Sequence, residues 1–189
     1  EFAKPEGPVI AVNLESRFEF GAICEGPESL TLQIFNVGTD DLRIKSVQRI
    51  LGSTAFSIEP FPSTPLIISP GGEVDFTLTY SPSAAGAEDF ATIRIASNDP
   101  ESPTVDLLAS GAGGTAVAEL AIADSGDFGE VCLDDFRDRN LAINNAGQCP
   151  LEITNVASTS PEFFVPNVVS YPLVVAPGAT LLLPIRYQP

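Results

Sequence analysis

The feature that most restricts the fold of this chain is an internal repeat. Five short blocks of the first half recur in the second half at a nearly constant spacing of 107 to 109 residues. Such a spacing is the signature of a duplicated structural unit, and we expect two tandem domains, residues 1–113 and 114–189, joined at a short glycine-rich stretch. The repeated blocks are residues 20–24 with 128–132, 32–38 with 141–147, 42–44 with 151–153, 65–71 with 172–178, and 80–82 with 187–189.

Each copy shows the alternation of apolar and polar residues that is typical of half-buried β-strands, for example in residues 30–34. An Asn-x-Gly triplet, residues 36–38 and 145–147, predicts a turn that uses residues tolerant of positive φ. A Pro-Gly pair, ending at Gly71 and Gly178, predicts a tight reversal before the next strand. This pattern predicts an all-β chain of two tandem immunoglobulin-like β-sandwiches, although spacing alone leaves a closed barrel open.

The two copies differ in length. After Pro82 the first copy continues through two more alternating segments, residues 90–97 and 104–110, whereas the second copy ends at Pro189. We therefore expect domain 2 to be incomplete, lacking its last strands in this chain. The missing strands lie outside this sequence, are disordered, or are replaced by strand addition from a partner at the open edge of domain 2. Because no initiator Met and no signal peptide is visible, we also expect the chain to start inside a longer product or after processing.

Charge and hydropathy argue against two classes of partner. The chain has 25 acidic and 9 basic residues and a net charge of −16. Such a field repels nucleic acid and anionic membrane surfaces. No apolar stretch approaches the roughly 20 residues needed to span a bilayer. We expect no nucleic-acid binding and no membrane insertion.

The residues needed for common catalytic sites are missing from the sequence. There is no His, so neither a Ser-His-Asp nor a Cys-His arrangement can form. Acidic pairs fall in predicted turns, where solvated carboxylates are the ordinary case. A weak calcium site formed by Asp134, Asp135 and Asp138 is a minor alternative. We expect no enzyme activity, no catalytic or cofactor-binding residues, no metal site and no cofactor.

The order of the repeated blocks carries a family resemblance. Both copies have a phenylalanine-glycine opening, the asparagine-x-glycine turn, a leucine-x-isoleucine strand, the proline-glycine turn and an aromatic-x-proline strand end. The first copy adds Ser97-Asn98-Asp99-Pro100 and a closing Gly111. In this order the blocks resemble the Hydin-like immunoglobulin-like domains, also called ASH domains, which are related to the major sperm protein fold. They also resemble bacterial repeats of the choice-of-anchor D type.

This resemblance implies a β-sandwich with a role in interaction or architecture, and it carries over no catalytic residues. In cilia and centrosomes such domains are linked to microtubule-associated assemblies. In bacteria they occur in exported, often multidomain proteins.

The three cysteines are distributed unequally between the copies. Cys24 aligns with Cys132, whereas Asp40 stands roughly where the second copy has Cys149. This asymmetry, together with the similar exported repeats, predicts a Cys132–Cys149 disulfide with Cys24 left single. Such a bond belongs to an oxidising compartment. The alternative is three buried free thiols in a cytosolic protein.

These observations predict a non-catalytic structural and interaction module of a larger secreted or cell-surface protein, which acts as a spacer and binds a protein partner not yet identified. One alternative is a cytosolic ciliary or centrosomal scaffold domain. The other is a carbohydrate-binding accessory module of an exported enzyme, for which Phe35, Phe61, Phe163 and Phe164 are candidate exposed aromatics.

Overall fold

The computed structural model describes residues 5–13, 17–59, 65–167 and 170–189. The chain divides into two compact units, Glu1–Gly113 and Gly114–Pro189, which we call domain 1 and domain 2. Regular structure in the described ranges consists of β-strands and one short 3-10 turn, Ala123–Gly126. No helix in these ranges is long and apolar enough to cross a membrane.

The described residues of domain 1 form ten β-strands. They are β1 Ile10–Val12, β2 Arg17–Ile23, β3 Glu28–Asn36, β4 Leu42–Ile44, β5 Ser46–Gly52, β6 Phe56–Ile58, β7 Leu66–Ile68, β8 Glu73–Tyr80, β9 Glu88–Ala96 and β10 Thr104–Gly113. One sheet has the order β1-β3-β8-β6, a second has the order β2-β10-β9-β5, and β4 pairs with β7. The strand pairs are antiparallel except β2 with β10, which run parallel.

The two four-stranded sheets of domain 1 enclose one hydrophobic core. In β3, Leu32 and Ile34 are buried, and in β9, Ile93 and Ile95 are buried, while their sequence neighbours are more exposed. Burial follows period 2 because successive side chains of a strand point to opposite faces. Each buried side chain of this size contributes roughly 1.5–3 kcal/mol relative to an exposed one. The predicted β-sandwich is confirmed, and two separate sheets replace the alternative of a closed barrel.

The outer strands of the second sheet depend on its two middle strands. β2 lies at one edge and is hydrogen-bonded to β10, and β5 lies at the other edge and is hydrogen-bonded to β9. β9 and β10 form an antiparallel hairpin. The hairpin therefore holds both edge strands in the sheet.

Within the described part of domain 2 there are six β-strands. They are β11 Ala118–Ile122, β12 Arg137–Asn145, β13 Leu151–Ile153, β14 Phe163–Phe164, β15 Leu173–Val175 and β16 Thr180–Tyr187. The sheet order is β11-β12-β16-β14, and β13 pairs with β15. This arrangement repeats β1-β3-β8-β6 and the β4–β7 pair of domain 1, which is the same architecture that the sequence repeat predicts.

The second sheet has no counterpart in the described part of domain 2. The sequence repeat aligns residues 127–132 with β2 and residues 154–158 with β5. Neither of the two domain 2 segments forms a strand. The physical reason is that edge strands need a ladder partner, and the described part of domain 2 contains no equivalent of the hairpin that supplies it in domain 1.

Candidate interaction site on the open face of domain 2

A buried asparagine fixes the turn after β3 in domain 1. The Asn36 Nδ2 donates to the carbonyl oxygens of Asp40 and Ile68, both at 2.8 Å. Its Oδ1 accepts from the Gly38 backbone N–H at 3.1 Å. A Cβ on Gly38 would collide with the Gly7 carbonyl oxygen. The side chain thus replaces backbone hydrogen bonds and ties β3 to β7.

Domain 2 repeats this turn with Asn145. Its Nδ2 donates to the carbonyl oxygens of Cys149 at 2.7 Å and Val175 at 3.0 Å, and its Oδ1 accepts from the Gly147 N–H at 3.0 Å. A Cβ on Gly147 would collide with the Thr115 carbonyl oxygen. The first layer of domain 2 is therefore built to the same plan as that of domain 1.

The expected backbone conformation of these turns was only partly right. The glycines of the Asn-x-Gly triplets are not among the residues with positive φ. They are required because the neighbouring chain passes too close for a side chain, as at Gly38 and Gly147. At the Pro-Gly reversals the prediction is confirmed, with φ of 79° at Gly71 and 70° at Gly178.

A cluster of three aromatic rings recurs in both domains. In domain 1 the Tyr80 ring stacks on Phe56 with centroids 4.5 Å apart and lies 5.5 Å from Phe20. In domain 2, Tyr187 stacks on Phe163 at 4.8 Å and lies 5.8 Å from Phe128. Phe128 is buried although its segment is not a strand. The aromatic cluster thus forms without the second sheet.

The hydroxyl of the domain 1 tyrosine has a partner on the hairpin. Tyr80 Oη donates to Asp89 Oδ2 at 2.9 Å, and Ser53 Oγ donates to Asp89 Oδ1 at 2.6 Å. Hydrogen bonds from Ser53, Tyr80 and Ser83 outweigh burial and hold the pKa of Asp89 below its ordinary value. Burial, with the hydrogen bond to Asp89, raises the pKa of Tyr80 to about 12.

Domain 2 lacks this partner. Tyr187 is half-buried, whereas Tyr80 is fully buried. Among the residues that the structure describes, none is hydrogen-bonded to the Tyr187 hydroxyl. A polar group that domain 1 satisfies with a carboxylate of β9 is thus left at the surface of domain 2.

The inner face of the domain 2 sheet is less covered than that of domain 1, although Ile143 and Leu183 on this face are buried. In domain 1, Leu42 and Ile44 are 0% exposed. Their equivalents, Leu151 and Ile153, are only half-buried. Leu120 pairs in register with the inward-facing Ile143, so it lies on the same face, yet it is 67% exposed. We call the exposed and half-buried part of this surface the open face of domain 2; it consists of Leu120, Ile122, Leu141, Leu151, Ile153, Ile185 and Tyr187.

Two apolar grooves run along the open face. One, of about 490 Å³, is lined by residues that include Phe128, Leu141 and Ile185. The other, of about 510 Å³, is lined by residues that include Leu120 and Ile153. Both grooves are open to solvent and are lined mainly by apolar side chains.

Two arginines hold the Phe128 segment against the sheet in the absence of a strand ladder. Arg137 Nη1 donates to the Phe128 carbonyl oxygen at 2.9 Å. Arg139 Nε donates to the Asp127 carbonyl oxygen at 3.1 Å, and its Nη1 pairs with the Asp124 carboxylate at 2.6 Å. The backbone of residues 129–132 has no strand-ladder hydrogen bonds in the described structure, so the segment is held by these side-chain contacts instead.

The predicted disulfide is not the one that the structure contains. Cys132 is a free and exposed thiol, whereas Cys24 and Cys149 are the disulfide-bonded cysteines. The predicted pairing of Cys132 with Cys149, and the single Cys24, are therefore corrected. Cys132 lies in an exposed turn, in which its carbonyl oxygen accepts from the Asp135 N–H at 3.1 Å. The β2-like strand that would have fixed its position does not form.

The three aspartates considered as calcium ligands do not converge. Both carboxylate oxygens of Asp138 are bonded to Arg186, at 2.8 and 2.9 Å. The Arg186 guanidinium holds the pKa of Asp138 below its ordinary value and also lies 3.5 Å from the centre of the Phe136 ring. Asp134 and Asp135 are exposed. No group of three or more possible metal ligands occurs among the described residues.

The aromatic residues considered for carbohydrate binding have different environments. Phe35 is half-buried, and Phe163 belongs to the aromatic cluster. Phe164 is 40% exposed, and Phe61 lies outside the described residues. They do not form a common platform in the described structure.

The sequence reading missed an apolar patch on the outer face of the second sheet of domain 1. Leu51, Phe90 and Leu108 are 69%, 62% and 50% exposed and line a shallow groove of about 230 Å³ beside Arg17. The sequence pattern could have predicted this patch, because Phe90 and Leu108 occupy positions where the alternation of their strands calls for polar residues. A second apolar surface therefore accompanies the open face.

Comparisons with known proteins add likenesses of fold. No protein-family model matches the sequence, and no curated protein matches it. A protein of unknown function from Porphyromonas gingivalis W83 is 16% identical over 95% of this chain and 83% of its own, with a TM-score of 0.44. The seventh PapD-like domain of human CEP192, an ASH domain, is 15% identical over 59% of this chain and 89% of its own, at 0.43. The Pseudomonas aeruginosa CupB2 chaperone is 15% identical over 92% and 87%, at 0.40.

Similarities of this size do not carry a functional argument, because all three TM-scores lie below 0.5. The assignment of the β-sandwich rests on the strand pairing and core of this chain.

Proposed function

We propose that this chain is a non-catalytic spacer and protein-binding module of a larger exported protein, secreted or displayed at the cell surface. The observation that carries the proposal is the open face of domain 2. Covering an exposed apolar surface with a partner is favourable, by roughly 25 cal/mol for each Å² of apolar area removed from water. The unpaired edges of such a sheet also offer backbone groups to an added strand.

A polypeptide fits this surface better than a carbohydrate. The open face is formed mainly by aliphatic side chains such as Leu120 and Ile185, which match the apolar side chains of a strand. Sugar rings bind by stacking on exposed aromatic rings, whereas the rings of Phe163 and Tyr187 are stacked on each other. The absence of a Ser-His-Asp or Cys-His arrangement, which follows from the lack of His, supports a non-catalytic role.

The cysteines support export over a cytosolic scaffold. Cys24 and Cys149 are disulfide-bonded, and stable disulfides form mainly in secreted, periplasmic or surface proteins. Peptide mapping of the natural protein, alkylated before any reduction, tests the compartment. We expect label on Cys132 alone. Label on all three cysteines would move the cytosolic scaffold to first place.

Selection of peptides from a random displayed library tests the binding function. We expect enriched peptides that alternate apolar and polar residues. They should lose binding to the Leu120→Asp variant, which places a charge on the open face at an exposed position. The matched control is Leu182→Asp, because Leu182 is 60% exposed on the opposite face of β16. Peptides that bind both variants equally would show that the open face is not the binding surface.

A further inference from the structure

We propose that the outer face of the second sheet of domain 1 is a self-association surface, at which two copies of this chain pack sheet against sheet around a two-fold axis. The outer face consists of the outward side chains of β2, β5, β9 and β10, with Leu51, Phe90 and Leu108 at its centre. It belongs to the domain in which both sheets are formed, so the inference is independent of the binding function proposed for domain 2.

The centre of the outer face is a hollow flanked by apolar side chains. The strand register places one row of residues across the four strands, Arg17, Leu108, Thr92 and Leu51. Phe90 stands two residues before Thr92 in β9 and so points to the same side of the sheet. The short side chain of Thr92 therefore lies between three larger apolar ones. All of these residues line the same shallow groove.

A surface that carries both a projecting side chain and a hollow can pair with itself. A two-fold axis brings the same patch of both copies together, so every contact across the interface occurs twice. Leu51, at 69% exposure, is the most exposed of the three apolar side chains and is the neighbour of Thr92 across the strands. The facing side chains of two packed sheets interdigitate. Each copy can thus place its Leu51 against the hollow of the other.

The charges around this centre favour an identical partner. Arg17 Nη1 pairs with the Glu19 carboxylate at 3.1 Å. Arg94 donates to both carboxylate oxygens of Asp106, at 2.6 and 2.7 Å. With Glu88, the outward positions of the four described strands hold two basic and three acidic residues, a net charge of −1, whereas the chain carries −16. Repulsion between two copies is therefore smaller for a contact through this face than through the more acidic surfaces.

A partner of strongly basic or acidic character would need a different rim. Unpaired acidic residues would select a basic protein, and unpaired arginines would select an acidic one. Both arginines of this rim are already paired within the chain, so the rim offers each sign of charge to its opposite on an identical rim. An apolar centre that contains an aromatic residue and is bordered by arginine is also the typical composition of a protein–protein interface.

Sedimentation velocity of the whole chain over a range of concentrations tests the proposal. We expect a reversible equilibrium between monomer and dimer. Raising the salt concentration from about 0.1 to about 1 M shortens the screening length from roughly 10 to roughly 3 Å. The dimer should become stronger, because screening weakens the repulsion between two acidic chains and leaves the apolar contact intact. A dimer that dissociates at high salt would be held by ion pairs and would contradict the proposed contact.

Variants at the centre of the outer face locate the contact. Leu51→Ser and Phe90→Ser remove exposed apolar side chains without changing the charge. Each should weaken the dimer about tenfold or more, because the lost contact occurs twice in a two-fold interface. The matched control is Ile67→Ser, which should leave the dimer unchanged because Ile67 is 49% exposed on β7, outside the second sheet. Leu120→Asp, on the open face of domain 2, should also leave it unchanged. Thermal melting verifies that each variant is folded.

Three results would overturn the inference. The first is a chain that stays monomeric at every concentration measured. The second is a dimer that Leu51→Ser and Phe90→Ser do not weaken. The third is a dimer that only Leu120→Asp weakens, which would place self-association on the open face of domain 2. None of these results decides whether the open face binds peptides, which the displayed library tests separately.

Discussion

At the scale of single residues, two buried carboxylates of domain 1 are kept ionised by donors. Asp89 accepts from Ser53 and Tyr80, as described above. Burial opposes ionisation of Asp99, but N–H groups of Ile10, Ser102 and Glu101 outweigh it and hold the pKa of Asp99 below its ordinary value. Each therefore couples the stability of domain 1 to pH.

The sign of this coupling follows from the lowered pKa values. A carboxyl whose folded pKa is depressed contributes stability that is present above its unfolded pKa, about 4, and is lost as pH falls through the folded value. We expect Asp89→Asn to be less stable than the native chain at pH 7. Its thermal midpoint should also fall less between about pH 5 and pH 2.5. Melting curves of both proteins, with the exposed Asp75→Asn as control, check this; parallel pH profiles would contradict it.

The asparagine of each turn should be as important in one domain as in the other. Asn36→Ala removes three side-chain hydrogen bonds and Asn145→Ala removes four, and each takes away a donor to buried carbonyl oxygens. We expect each to lower the free energy of unfolding of its own domain by about 2–3 kcal/mol. Urea titrations followed by hydrogen exchange of each domain measure this. Asn144→Ala, beside the turn and bonded to the exposed Glu119, should cost about 1 kcal/mol or less.

Residue-scale predictions succeeded where the cause was local. The alternation of apolar residues predicted which side chains face the core, because strand geometry depends on neighbours in sequence. The pairing of the cysteines failed because it depends on where segments lie in space. Cys132 aligns with Cys24, but its segment forms no strand and leaves the thiol in an exposed turn. Nothing in the spacing of the three cysteines indicates this.

At the scale of elements, the aromatic clusters allow the two domains to be compared directly. Phe56 is 2% exposed in domain 1, whereas its equivalent Phe163 is half-buried in domain 2. We expect Phe56→Ala to lower the free energy of unfolding of domain 1 by about 3–5 kcal/mol. Phe163→Ala should cost domain 2 clearly less, because less surface returns to water. Equal losses in denaturant titrations would indicate that the cluster of domain 2 is covered in solution.

The elements of domain 2 show what a repeat in sequence can and cannot predict. It correctly predicted the layer that contains β12 and β16, whose partners are all within the copy. It also matched residues 127–132 to β2, yet those residues form no strand. Strand formation there depends on a neighbour that the described structure lacks. Similarity of sequence therefore predicts a strand only where its ladder partner is also present.

At the scale of the whole molecule, the two domains should differ in stability. Domain 1 has a core enclosed by two sheets, whereas the sheet of domain 2 is open on its inner face. We expect two unfolding transitions in urea, with domain 2 unfolding first. Hydrogen exchange should be faster in β12 and β16 than in the equivalent β3 and β8. A single transition with equal exchange in both pairs of strands would contradict this expectation.

The parallel pairing of β2 with β10 has a consequence for the synthesis of the protein. β2 lies near the beginning of domain 1 and β10 ends it at Gly113. A ribosome releases the chain from its N-terminus, at roughly 5–20 residues per second. A nascent chain that has emerged only as far as β9 still has an unpaired β2 and an uncovered part of its core. The second sheet of domain 1 therefore cannot be completed during synthesis until β10 has emerged from the ribosome.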